Sequence, residues 1–258
     1  MLDKINIKDI VAVAKEAGDA IMQIYSQDFK VEYKQDSSPL TLADKKANDI
    51  IENRLNQLSV NLPILSEEGK DISYEERKYW EYFWLVDPLD GTKEFVKKNG
   101  EFTVNIALIH KDTPVLGVVY APALDICYWA KQGKGAFKDG QRLPLKTESQ
   151  RETYKIVASR SHMSDETQAF IDDIDTDKEK ELISIGSSLK ICLVAEGEAD
   201  IYPRLSPTME WDTGAAHAIV NESNHVLRRY SLPNLYQQHK YNKKSLLNKW
   251  FLAYQDEA

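Results

Sequence analysis

Only two cysteines, Cys127 and Cys192, occur among 258 residues. They lie far apart in apolar surroundings, which fits neither a disulfide framework nor a zinc-ligand spacing. Two free, buried thiols are the expectation, and that usage suits a reducing cytosol. Positive charge is also short: 33 Lys and Arg stand against 41 Asp and Glu, for a formal net charge of -8 and a pI near 5.3. Duplex nucleic acid is therefore excluded as a partner, because phosphate backbones need Lys and Arg to neutralise them. A small phosphorylated substrate is compatible with the acidity if metal ions lie between. Long apolar runs are missing as well. The N-terminal stretch MLDKINIKDIVAVAKEAGDAIM carries charges throughout, so neither a signal peptide nor a transmembrane helix is expected. These features predict a cytoplasmic protein. Among the five histidines, His110, His225 and His239 show no metal-ligand spacing, and His217, like Cys192, sits in an apolar helical run. No internal repeat or low-complexity segment is present.

What remains is an ordinary soluble balance, 42% hydrophobic and 29% charged. The length suffices for one large domain or two modest ones. Ile10, Val11, Ala14, Ala17, Ile21 and Ile24 recur at helical spacing and predict a helix over about Lys8–Tyr25. A second helix is predicted from Thr41, read as its N-cap, to Leu58, with Asp44 in its first turn. Pro63-Ile64-Leu65 reads as a short strand, and Trp84-Leu85-Val86 as a buried strand ending at Asp87. Strands over 102–109, 115–120 and 126–130 follow, then a short hairpin among Gly133, Gly135 and Gly140. The polar stretch 145–153 is taken as a boundary. Residues 1–148 then form an N-terminal α+β unit, with two helices on a mostly antiparallel sheet. Residues 149–258 form a C-terminal α/β unit, with helices predicted over 165–172, 189–196 and 211–220.

The chemistry concentrates in three short segments: Leu65–Glu68 (LSEE), Trp84–Phe95 (WLVDPLDGTKEF) and Trp211–Ala218 (WDTGAAHA). Each alone has a plain alternative. Asp-Gly and Asp-Pro are common turn dipeptides, Glu67-Glu68 reads equally as a solvated acidic pair, and Trp211-Asp212 as a core aromatic with a helix cap. Together they place Glu67, Asp87, Asp90 and Asp212 at strand ends or a helix start, where they can converge. Close carboxylates repel unless a cation lies between them. Oxygen-only ligation points to Mg²⁺ rather than zinc or copper. Two such ions about 3.5–4 Å apart can clamp the attacking and leaving oxygens of an in-line displacement, so hydrolysis of a phosphate ester is the natural reaction.

These segments resemble the lithium-sensitive, magnesium-dependent phosphatase superfamily that includes the inositol monophosphatases. Its pattern is an acidic pair, then D-P-[LI]-D-G-T, then W-D about 120 residues later. Within it the chain is most similar to bacterial 3'(2'),5'-bisphosphate nucleotidases of the CysQ type. NGEFTVNIALI, LGVVYAP, SRSH at 159–162 and SIGSSLKICLVAEGEADIYPR at 184–204 carry that finer likeness. The resemblance implies a five-layer αβαβα sandwich, two or three Mg²⁺ ions and hydrolysis of adenosine 3',5'-bisphosphate to AMP, linked to sulfur assimilation. The sulfated nucleotide is a second substrate to consider, and lithium sensitivity is implied. It assigns metal binding to Glu67, Asp87, Asp90, Asp212 and the carbonyl of Leu89. Asp44 and Thr92, with Glu67, are implied to activate the attacking water through a hydroxyl–carboxylate hydrogen bond, and Glu68 to act through water. Gly91 and Thr92 N–H groups would face the phosphate.

His162, Ser187, Lys190 and Arg204 match positions that hold the nucleotide and its other phosphate. The residues agree with that: Gly186-Ser187-Ser188 precedes a helix, where N–H groups and hydroxyls can cradle an anion, and Lys190 and Arg204 add charge. Lys190 also reads as an exposed helix lysine, and His162 as a capping or surface histidine. Two rivals stay open: an inositol monophosphatase-like or broad sugar phosphatase, and a catalytically silent protein that senses nucleotide or cations. The resemblance also leaves open a monomer or homodimer, and peripheral contact with the cytoplasmic face of the inner membrane. After Ile219 the chain departs from the pattern, with Asn221-Glu222-Ser223 and Arg228-Arg229 where small residues and an acid are usual. Ser245–Asn248 (SLLN) again matches a stretch near the substrate rim.

Overall fold

The structure is a computed structural model that describes residues 1–27, 39–146, 152–158, 163–231 and 237–256. Helix α1 spans Ile7–Tyr25. The Asn6 side chain caps it by accepting from the Lys8 N–H, and Asp9 lies in its first turn. Its buried stripe is Ile10, Val13, Ala14, Ala17 and Ile21, the helical spacing read from the sequence. Helix α2 spans Pro39–Asn56. The expected cap, Thr41, therefore lies inside the helix. Proline takes the first position instead, where a missing N–H costs nothing and the fixed φ suits the helix.

The first sheet runs in the order β1 (Ile64–Ser66), β2 (Tyr82–Asp90), β3 (Thr103–His110), β4 (Thr113–Ala121), β5 (Ile126–Lys131), β6 (Gly135–Lys138) and β7 (Gln141–Arg142). β1 pairs parallel with β2, and every other pair is antiparallel. A short helix, α3 (Tyr74–Arg77), connects β1 to β2. Side chains alternate between two cores along each strand. Trp84, Val86, Val104, Ile106, Leu108 and Val118 face α1 and α2. Phe83, Leu85, Ala107, Ile109, Val119 and Ala121 face inward.

The second sheet is built from β8 (Thr153–Ala158), β9 (Glu179–Ser184), β10 (Ile201–Arg204), β11 (His225–Arg229), β12 (Gln237–Gln238) and β13 (Phe251–Gln255), ordered β12-β11-β13-β10-β8-β9. Helices α6 (Leu189–Ala195) and α7 (Trp211–Asn221) fill the space between the sheets, and α5 (Asp165–Asp172) covers the far face. The layers are thus α1/α2, sheet, α6/α7, sheet, α5, as the resemblance implied. Close approach of α7 to the first sheet needs small residues. A Cβ on Gly117 would lie 2.1 Å from the Ala215 carbonyl oxygen, so only glycine fits there. Among the described residues no helix is long and apolar enough to cross a membrane. Cys127 and Cys192 are free and buried.

Two local differences matter for the site. The strand expected to end at Asp87 runs on to Asp90 through a bulge: Asp87 pairs with Asn105 but Asp90 pairs with Thr103. Pro88 has no N–H for the ladder, and a bulge accommodates it. The divergent C-terminal region contributes three strands that its sequence did not announce, β11, β12 and β13, and β13 lies inside the second sheet.

Candidate active site

The acids converge where β1, β2 and α7 meet. Glu67 directly follows β1, its N–H bonding to the Val86 carbonyl at 3.1 Å, which ties it to the end of β2. Asp87 is 1% exposed on β2. Asp212 occupies the first turn of α7. Carboxylate oxygens of Glu67, Asp87 and Asp212 all lie within 4.8 Å of one another. Asp87 Oδ1 accepts from the Leu89 N–H at 3.1 Å, which folds the bulge around it. Asp212 Oδ2 accepts from the Met209 N–H at 2.8 Å.

Asp90 stands beside this trio in a different state. Its Oδ2 accepts from the Ser188 N–H at 2.7 Å, the Ser188 hydroxyl at 2.9 Å and Asn105 Nδ2 at 3.4 Å. The Ser188 hydroxyl also reaches the Asp212 carbonyl at 2.7 Å and accepts from Asn105 Nδ2 at 2.9 Å. Ser188 and Asn105 thus lock β2, β3, α6 and α7 together under the acids. Neither residue was singled out as a partner of the acids from the sequence.

The electrostatics are those of crowded anions. Burial, then the charges of Glu68 and Glu67, push the Asp44 carboxyl up to about 8. Asp87 is raised well above the carboxylate range by burial and then by Asp90, Glu67 and Asp212. Asp212 rises to about 7, through burial and then Asp90. Burial also raises Asp90, against the pull of Lys190 and Ser188. Desolvation and then Asp90 raise Glu67. Asp44 is buried on α2, and its Oδ1 has no hydrogen-bond partner. The expected bond between Thr92 and Asp44 is not formed among the described residues. Such a set of oxygens, mutually repelling and with an open acceptor, suits a hard cation.

A cavity of about 270 Å³ opens from Asp90 and Asp212 toward the second sheet, with Thr92, Ser187, Lys190 and Arg204 on its walls. The structure therefore brings the expected substrate residues to the acids. His162 falls outside the described residues. Gly91 adopts φ +96° and turns the chain from β2 into the short helix α4 (Thr92–Val96); Thr92 itself is exposed. Lys190 is half-buried, and burial lowers its ammonium to about 8 despite the nearby Asp90. Arg204 donates to the Pro207 carbonyl at 3.2 Å, and its Nε has no partner. The expected Gly186–Ser188 cradle is mostly committed elsewhere. Gly186 N–H donates to Glu101 Oε2 at 2.9 Å and Ser188 N–H to Asp90. The Ser187 hydroxyl is left without a partner, on a residue at φ 48°. His217 is structural, as expected: it is buried and its Nδ1 meets the Tyr241 hydroxyl at 3.0 Å.

Comparison with known proteins agrees with this geometry. A profile described as the inositol monophosphatase family matches residues 3–253. The 3'(2'),5'-bisphosphate nucleotidase CysQ of Salmonella typhimurium is 50% identical over 217 residues, 83% of this chain and 86% of that protein. The protein of the same name from Buchnera aphidicola is 45% identical over 240 residues, 91% of this chain and 86% of that one. Among solved structures, CysQ from Bacteroides thetaiotaomicron, titled a bacterial member of the inositol monophosphatase family, superposes with a TM-score of 0.89. It is 43% identical and covers 98% of both chains.

Proposed function

Since this chain belongs to the inositol monophosphatase family, we propose that it is a magnesium-dependent 3'(2'),5'-bisphosphate nucleotidase acting on adenosine 3',5'-bisphosphate. The products are AMP and inorganic phosphate, and the place is sulfur assimilation. The relatives named CysQ at 45–50% identity support this reading, and so does the cavity that joins the acid cluster to Ser187, Lys190 and Arg204. That junction is the observation that carries the proposal. A monophosphate needs the acids alone, whereas a bisphosphate needs a second cationic wall. We assign residues 1–148 as the unit carrying most metal ligands and 149–258 as the substrate unit.

Glu67, Asp87, Asp90 and Asp212 would hold Mg²⁺, with the Leu89 carbonyl. Bound there, Mg²⁺ supplies charge neutralisation and a more acidic water. Asp90 keeps Oδ1 for this purpose, because its recorded bonds fall on Oδ2. Asp44 offers an unpartnered buried oxygen, and we assign it the proton of the attacking water. Thr92, on the cavity wall, orients that water, and Glu68 acts through water. Lys190 and Arg204 face the second phosphate, where a charged donor is worth most in a partly desolvated site. A cytoplasmic location fits the two free cysteines.

The test is a phosphate-release panel with Mg²⁺ across adenosine 3',5'-bisphosphate, its sulfated form and inositol phosphates. Efficient hydrolysis of the nucleotide bisphosphate is expected. Inositol phosphate cleaved well while the nucleotide is spared would overturn the substrate, and no turnover on any of them would favour a silent sensor.

A further inference from the structure

The segment 239–248 belongs to the divergent C-terminal region, yet it is fastened to both acid-bearing parts of the site. Its joint is Asn242. The Asn242 N–H donates to Glu210 Oε2 at 2.7 Å. Its side-chain Oδ1 accepts from Arg77 Nη1 at 2.8 Å, and its Nδ2 donates to the Arg77 carbonyl at 2.8 Å. Arg77 Nη2 also donates to the Lys244 carbonyl at 3.1 Å. Asn242 sits at φ 56°, a left-handed conformation that asparagine tolerates better than most residues. Such a conformation lets one residue aim its backbone at one partner and its side chain at another.

The two partners are well placed. Arg77 is 2% exposed and ends α3, in the connection that leaves β1 just past Glu67 and leads into β2, the strand that carries Asp87. Glu210 is 0% exposed and lies two residues before Asp212. Its carboxylate also accepts from the Lys243 N–H at 3.0 Å and Lys243 Nζ at 2.5 Å. Its own N–H donates to the Leu246 carbonyl at 2.9 Å, while its carbonyl receives the Thr213 and Gly214 N–H groups that open α7. Asn248 completes the attachment: its Nδ2 lies 2.7 Å from the Met209 carbonyl and 3.1 Å from Thr213 Oγ1. Met209 in turn donates to Asp212 Oδ2.

We infer that Asn242, with Lys243 and Glu210, is a positioning clamp that sets the spacing between Asp212 and the Glu67–Asp87 pair. None of the three touches the reacting atoms. They act by fixing two loops that would otherwise respond to carboxylate repulsion by moving apart. The inference rests on the reading of Glu67, Asp87 and Asp212 as metal ligands. Residues that orient metal ligands affect affinity by about 10–100-fold, and that is the size of effect the clamp should show.

Mn²⁺ provides a probe independent of turnover, because the free ion gives an electron paramagnetic resonance signal that binding removes. Asn242→Gly keeps the left-handed backbone and the N–H to Glu210 but removes both Asn242 side-chain bonds to Arg77, leaving the Arg77–Lys244 carbonyl bond. Lys243→Met removes one donor to Glu210 and keeps its length. Each is expected to raise the Mn²⁺ dissociation constant about tenfold. Ile171→Ala, in the outer core far from the clamp, is the stability control: it should lower the melting temperature and leave Mn²⁺ affinity unchanged. If Asn242→Gly and Lys243→Met bind Mn²⁺ like the wild type, the clamp is overturned while the metal site stands. If Ile171→Ala weakens binding as much as they do, the effect is general destabilisation and the clamp is again overturned. A wild-type protein that binds no Mn²⁺ would overturn the metal reading and the clamp with it.

Discussion

Glu210 and Asp212 stand two residues apart, and burial raises both carboxyls, but their neighbours differ in charge. Glu210 is fully buried, but two backbone N–H groups and the Lys243 ammonium surround its carboxylate. Asp212 is less buried, and the groups facing it include Asp90 and Glu67. Burying a charge is tolerable when partners replace water and costly when they do not. Glu210 is therefore a finished structural element. Asp212 belongs to a set, with Asp44, Glu67, Asp87 and Asp90, that stores repulsion until a cation arrives. The difference between the two carboxylates separates scaffold from chemistry more sharply than burial does.

The comparison breaks most visibly at Asp87. Asp87→Asn removes one buried ionisable group from the repelling set while keeping its shape. Turnover should fall by about a thousandfold, as expected for losing a metal ligand that stabilises the transition state. In metal-free buffer the same change should raise the melting temperature, because repulsion is relieved. A scan without metal and a phosphate-release assay with it test both signs together. A variant that loses stability without metal would show that Asp87 is held by pairing, like Glu210, and not by a missing cation.

Lys190→Met probes the other wall of the cavity. KM for adenosine 3',5'-bisphosphate should rise about tenfold or more, since a charge-assisted contact is worth roughly 1.5–3 kcal/mol. Hydrolysis of a simple monophosphate should change less. Equal losses on both substrates would place Lys190 with the reacting phosphate instead of the second one. Its proximity to Asp90 makes that outcome a real alternative result for the assay to report.

The acids were legible in the sequence because each lies in a short contiguous segment, LSEE, DPLDGT or WDTG, and strand ends could be read from local apolar runs. The rest of the site depends on pairing between distant segments. Ser188 and Asn105 act on Asp90 only because α6 and β3 meet there, 83 positions apart along the chain. No local pattern encodes that meeting. The Gly186–Ser188 cradle misled for the same reason: its N–H groups are real, but Asp90 and Glu101 had already taken two of them. Helix and strand alternation showed an α+β unit followed by an α/β unit, the layered sandwich came from the family resemblance, and β11 and β13 were not read at all. HVLRR and FLAYQ form strands by pairing with each other and with β10, and Arg228 and Arg229 hid the strand character of the first. Thr41 failed as a cap because Pro39, two residues earlier, starts the helix.

The smallest effect is a pair of opposite pH slopes. Asp44 and Asp212 titrate near 8 and 7 in the folded, metal-free protein, above the usual unfolded carboxylate value of about 4. The folded state then holds protons more tightly, so this contribution is complete below about pH 4 and is lost as pH rises toward 8. His217 behaves in the reverse way. Burial lowers it to about 3, so the unfolded chain binds its proton first. Stability is complete above about pH 6.5 and falls at up to about 1.4 kcal/mol per unit on acidification. Two carboxylates outweigh one histidine wherever both titrate, so metal-free protein should lose stability steadily as pH rises from about 5 to 8. Saturating Mg²⁺ should reduce the alkaline slope, because Asp212 bound to a cation no longer holds a proton, and leave the histidine's opposite contribution in place. Thermal scans from pH 5 to 8.5 with and without Mg²⁺ would read this directly. An alkaline slope undiminished at saturating Mg²⁺ would mean that Asp212 is not among the groups the cation neutralises.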